Sequence, residues 1–168
     1  YLCENFDKIF VQNTEKIIEI LLSNIKQLLT EKSEDLSVSL KELSSTLLFV
    51  SVKNSNYIAG HIGDGLIGCY LDGNPEVLSF PENGEYSNQT YFTTSETAKD
   101  HFRIYKGELS SIDGFILMSD GSYDNLFDKG KKKLAAANKT FFSWIKDHNN
   151  SEQKVEEALH LNLENLFT

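Results

Sequence analysis

The stretch TLLFVSVKNSNYIAGHIGDGLIGCYL, from Thr46 to Leu71, decides the fold class. Its apolar and β-branched residues come in three short runs, Thr46 to Val52, Tyr57 to Ile62 and Leu66 to Leu71, each of strand length. The joints are made of turn formers, Asn54-Ser55-Asn56 and Gly63-Asp64-Gly65, and Asp72-Gly73-Asn74-Pro75 closes the last run. Short strands with tight joints pair with their sequence neighbours, so the stretch predicts a three-stranded antiparallel meander whose second turn is Gly63-Asp64-Gly65.

Outward from this centre the period changes. On the N-terminal side Phe6, Ile9, Phe10, Ile17, Ile18, Leu21, Leu22, Ile25, Leu28 and Leu29 recur at three, four and seven, which predicts one or two helices with a single buried face, followed by a polar segment from Thr30 to Ser37. On the C-terminal side Glu76 to Phe80, His101 to Lys106 and Gly114 to Met118 read as strands, the last apolar throughout and hence central. Beyond Ser122 the helical period returns over Leu134 to Ile145 and Val155 to Phe167. Helices, then strands, then helices predict an α+β fold in which helical layers cover sheet faces, rather than alternating βαβ units. No repeat or compositional break divides the 168 residues, so 1–168 reads as a single domain.

The chain carries 16 Lys and Arg against 25 Asp and Glu, a formal charge of −9, which disfavours attraction to nucleic acid and concentrates cations instead. Cys3 and Cys69 have no metal or redox spacing and read as incidental thiols of a reducing compartment. No run is long enough for a membrane helix and no signal pattern opens the chain, so a cytoplasmic location is expected. The sequence starts at Tyr1 and its one methionine is Met118, so a fragment is expected.

Two motifs could carry chemistry. Gly63-Asp64-Gly65 joins two apolar runs and by itself is a tight turn. The second, Phe115 to Asp124, is an apolar strand that stops in Ser119-Asp120-Gly121 and adds Asp124 four residues beyond Asp120. If a helical turn starts there, both carboxylates share one side and can share a hard cation; the alternative is an acidic first turn favoured by the helix dipole. A lone carboxylate ending an apolar strand is costly to desolvate, so Asp120 is expected to be compensated by a cation or by donors, with Gly121 freeing the backbone to aim it into a cleft.

Taken together, the two motifs resemble the metal-dependent Ser/Thr phosphatases of the protein phosphatase 2C family. Ser44-Ser45-Thr46-Leu47 resembles the entry into the family's strand, Tyr57 to Asp64 its hydrophobic segment ending Gly-Asp, and Ile116 to Gly121 its Ser-Asp-Gly segment, the closest match. The resemblance covers about Ser44 to Asp124 by motif. It implies an α-β-β-α sandwich of two antiparallel sheets flanked by helices, with a Mn²⁺ or Mg²⁺ cluster between the sheet edges. It implies further that Asp120 ligates the catalytic cluster, with Gly121 beside it, and that Asp64 and Asp124 serve an additional cation. Hard divalent ions take such oxygens, and a water bridging two of them becomes the nucleophile, so no protein nucleophile is needed. The family's N-terminal Asp-Gly-x-Gly and its C-terminal Asp on a last strand are not in this sequence, so the two-metal centre is expected to be incomplete in the chain as it stands. The implied function is bacterial-type hydrolysis of phosphoserine or phosphothreonine in a protein substrate. The alternative is a phosphatase-fold binding module that works without metal.

Other constellations are weaker. His61, His101, His148 and His160 have no metal spacing, and His61 reads as a strand residue. Ser119 lacks both a Gly-x-Ser-x-Gly setting and a nearby His, which excludes a hydrolase triad. Lys129, Lys131, Lys132 and Lys133 read as a solvated loop and helix start, or as a contact for an acidic or phosphorylated partner.

Overall fold

A computed structural model describes residues 1–83 and 90–148. Two helices open the chain, α1 (Leu2–Phe10) and α2 (Thr14–Leu36). They break at Asn13, whose side chain accepts from the Lys16 N–H at 2.8 Å and caps α2. The helix runs on through the polar segment expected to follow it, because Glu31, Lys32, Glu34 and Asp35 are good or tolerated helix formers on a solvent face and Lys32 lies 3.9 Å from Asp35. Ser37 ends it in the left-handed conformation, φ 54°.

The strands are β1 (Leu47–Lys53), β2 (Asn56–Ile62), β3 (Leu66–Leu71), β4 (Asn74–Ser79), β5 (Arg103–Glu108), β6 (Ile112–Met118), β7 (Phe127–Asp128) and β8 (Lys133–Leu134). The one-turn helices α3 (Ala98–His101) and α4 (Asp120–Tyr123) precede β5 and β7, and α5 (Ala137–His148) is the last element of the described residues. The expected helix Val155 to Phe167 lies outside the described residues. His101 closes α3, so the expected strand begins two residues later, and Lys133 lies in a strand where a helix start was expected.

The meander does not form. β1 and β2 pair antiparallel, with Leu47 opposite Ile62 and Lys53 opposite Asn56, but the second edge of β2 is taken by β5. β3 leaves for another sheet, where it pairs with β4 and β6 in the order β4-β3-β6. Gly63-Asp64-Gly65 is therefore a crossover between sheets, not a hairpin. Gly63 has φ +114°, and a Cβ on it would meet Thr46 Cγ2 at 2.3 Å; one on Gly65 would meet Leu48 Cδ1 at 2.7 Å and the Met118 carbonyl at 2.8 Å. The backbone passes between β1 and β6 only because both side chains are absent. β3, not β6 with its apolar stretch Gly114 to Met118, is the central strand of its sheet among the described residues.

Four layers result. α1 and α2 cover the outer face of β1-β2-β5 with Phe6, Ile9, Ile17 and Leu21 against Ile58, Ile62 and Phe102. Tyr57, Ala59 and Ile67 pack between the sheets with Leu48, Val50 and Phe115, the rings of Tyr57 and Phe115 lying 5.1 Å apart. On the outer face of β4-β3-β6, Leu66 and Met118 meet Tyr123, Leu126, Phe127, Leu134 and Phe141, and Tyr70 stacks on Phe142 of α5 at 4.7 Å. Each large apolar side chain so buried contributes about 1.5–3 kcal/mol. The α-β-β-α order expected from the resemblance is the order found. Cys69 is buried in β3, whereas Cys3 is exposed on α1; both are free. Among the described residues no helix is long and apolar enough to cross a membrane.

Candidate functional site

Strand register brings the two motifs to one end of the molecule. Leu66 lies opposite Met118, so the Gly63–Gly65 crossover and the Ser119–Asp120 strand end are neighbours although more than fifty residues separate them. Ser119, in extended backbone, starts the single turn of α4, and Asp120 is its first residue. Asp120 Oδ1 accepts from the Gly121 N–H at 2.8 Å, and Asp124 Oδ1 pairs with Lys129 Nζ at 2.8 Å. Tyr123, which the sequence reading passed over, ties them together. Burial raises its phenol above the usual range; Lys129 opposes this, and the carboxylates of Asp64, Asp124 and Asp120 all add to it. One buried side chain thus stands within electrostatic reach of all three acids.

Their setting differs from the expectation. Asp64 is half-buried, but Asp120, Gly121 and Asp124 are exposed, so no desolvation cost holds Asp120 to a cation. Nothing within 4 Å would meet a Cβ on Gly121, and its φ is not positive, so neither close approach nor backbone conformation requires glycine there.

Behind the crossover lies a buried polar cluster. His61 of β2, fully buried, has Nδ1 2.8 Å from Ser79 Oγ and 3.2 Å from Arg103 Nη2. Burial, with the Arg103 charge added, pushes its pKa down to about 3, against a smaller pull from the Gly63 backbone. With Nδ1 facing the guanidinium, the neutral ring accepts there and carries its proton on Nε2. Arg103 also donates to the Phe80 carbonyl and lies 3.5 Å from Glu82, whose other oxygen is 2.8 Å from His101 Nδ1. The Glu82 N–H donates to the Gly63 carbonyl at 3.1 Å, which fixes the crossover from the strand ends behind it. His61 is a strand residue, as expected, and a packed, neutral one. Its side-chain partners come from two other strands, a juxtaposition no local spacing announces.

The family model for protein phosphatase 2C matches residues 1–164. The chain belongs to the protein phosphatase 2C family. Neither curated proteins nor solved structures gave a match. A protein phosphatase 2C chain implies a divalent cation, and the chemistry of Asp64, Asp120 and Asp124, hard carboxylate oxygens, suits one. Their placement does not complete a site. Among the described residues no three His, Cys, Asp or Glu side chains come close enough together to hold an ion, and one oxygen of Asp120 and one of Asp124 are engaged by Gly121 and Lys129. The described residues of this family member supply donors of the right type, not a closed ligand set.

Proposed function

We propose that this chain serves the hydrolysis of phosphoserine and phosphothreonine in proteins, with Mn²⁺ or Mg²⁺ as the cofactor that its family implies. What carries the reading is the family match over residues 1–164, supported by Asp64, Asp120 and Asp124 all lying within electrostatic reach of Tyr123 beside the crossover. In this reading Asp120 is the catalytic ligand, Gly121 stands beside it, and Asp64 and Asp124 hold an additional cation. Lys129 then has a defined part: its ammonium balances Asp124 and lies 5.1 Å over the Tyr123 ring, which keeps the acidic corner from repelling its own carboxylates apart. The test is phosphate release from phosphoserine and phosphothreonine peptides and from a small aryl phosphate, with added Mn²⁺ or Mg²⁺ and again with chelator. Release that requires metal and stops with chelator is expected. Equal release without metal overturns the cofactor assignment.

A second reading is favoured by the open ligand set: a phosphatase-fold module that binds a phosphorylated partner without cleaving it. It predicts phosphopeptide binding with no phosphate release under any of these conditions.

A further inference from the structure

Next to the acidic corner, and sharing Tyr123 with it, is a cavity of about 390 Å³, within the range of ligand pockets. It is lined by Phe80, Pro81 and Asn83, which follow β4, and by Tyr123, Phe127, Lys129 and Lys132. Phe127 joins the apolar walls, 6.2 Å from Phe80 and 5.9 Å from Tyr123 between ring centroids. Phe80 nevertheless remains 41% exposed, a large ring with one face left uncovered. Every lysine of the basic run is exposed, as the sequence predicts, but their partners differ. Lys129 pairs with Asp124 and Lys131 with Asp128, whereas Lys132 forms no ion pair among the described residues. Lys132 is also held at φ 53°, where Gly or Asn is the easier residue. A mostly apolar slot lined also by a cation without an ion-pair partner among the described residues complements an apolar side chain next to a carboxylate.

We propose that this cavity is a specificity subsite for phosphopeptides: it takes an apolar side chain adjacent to the phosphorylated residue against Phe80, Pro81 and Phe127, while Lys132 pairs with an acidic residue one position further out. The proposal rests on the reading of the acidic corner as the place where the phosphoryl group is presented. The separation of roles follows from charge. In that reading the corner's carboxylates are taken up by the cations that would meet the phosphoryl group, so discrimination among the flanking residues falls to the neighbouring slot and to Lys132, which is unpaired among the described residues.

The test measures binding and turnover separately. Fluorescein-labelled peptides carry phosphoserine flanked by Leu and then Glu on both sides; in one control Ser replaces Leu, in another Lys replaces Glu. Fluorescence anisotropy with the whole chain is expected to give about tenfold tighter binding of the Leu/Glu peptide than of the Ser control, from burial of one apolar side chain. The Lys control is expected to bind about fivefold more weakly than the Leu/Glu peptide, the range of one exposed ion pair. Phe80→Ser should erase the Leu preference and Lys132→Gln the Glu preference; Lys132 is exposed, so Lys132→Gln should keep the wild-type melting curve, whereas Phe80→Ser should melt somewhat lower because its ring packs on Phe127, and binding is compared well below that transition. Equal binding of all three peptides by the wild type, or both preferences surviving in both variants, overturns the subsite. Phosphate release from the same peptides separates the two claims. Release without preference leaves the phosphatase reading standing and overturns the subsite, whereas preference in binding without release upholds the subsite and overturns the hydrolytic reading.

Discussion

His61 illustrates how far a single side chain's chemistry is set by residues remote in sequence. Buried against Arg103 and Ser79, it is neutral in the fold down to about pH 3, while in the unfolded chain it protonates near its ordinary value of 6.5. Between these values the unfolded state binds one more proton than the folded state, so stability falls as pH falls through that window and is fully present above it. One such group contributes a slope of about 1.4 kcal/mol per pH unit. Urea unfolding at several pH values between 4 and 7 should therefore show a steeper loss of stability on acidification in the wild type than in His61→Gln, which keeps an acceptor but does not titrate. Identical slopes would show that His61 is protonated in the fold. The residue scale was also where the sequence was least legible. The strand reading of His61 needed only local pattern; Arg103, Glu82 and Ser79 around it, and Tyr123 among the three acids, depend on contacts made across the fold. The burial argument for Asp120 failed for a related reason: an apolar strand can end at the surface, and α4 begins there, leaving Asp120 in solvent.

At the scale of elements, Gly63 separates the two sheets. Alanine there must adopt φ +114° and place its Cβ 2.3 Å from Thr46 Cγ2, so Gly63→Ala should cost about 3 kcal/mol or more, read as a lower urea midpoint at unchanged slope. A loss under 1 kcal/mol would mean the crossover repacks freely. The opposite sign is expected at the end of α2, where Ser37 is exposed with φ 54°: Ser37→Gly removes the left-handed strain and should raise stability by about 0.5–1 kcal/mol in the same experiment. Most strands and helices were legible as apolar periods, and Asp72-Gly73 correctly marked the β3–β4 hairpin, its two residues at φ 48° and 78°. Pairing was not. A Gly-Asp-Gly joint has the same composition whether it folds a strand back onto its neighbour or passes it to a second sheet, and only competition from β5 for the edge of β2 decides between them. The apolar run Gly114 to Met118 misled in the same way: among the described residues β6 is packed by the opposing sheet and by α5 rather than by strands on both sides.

For the whole molecule, two sheets between helical layers turn distant segments into one corner. Asp64 arrives from the crossover, Asp120 and Asp124 from the end of β6 and from α4, and the pairing of Leu66 with Met118 sets them side by side. The layer order was legible through the resemblance, and the corner through the order of its two motifs; the ion pair of Asp124 with Lys129 and the adjoining cavity were not, because both depend on how the β7–β8 hairpin folds back. The central claim, that this corner carries phosphoester hydrolysis, is tested most directly by aryl phosphate turnover across a Mn²⁺ titration for the wild type and for Asp120→Asn, Asp64→Asn and Asp124→Asn, with a melting curve for each. Because Asp120 is exposed, Asn there should leave the fold within about 0.5 kcal/mol of the wild type while turnover falls about 100-fold or more, with smaller losses for the other two. Full turnover in Asp120→Asn, or equal effects in all three variants, would contradict the account.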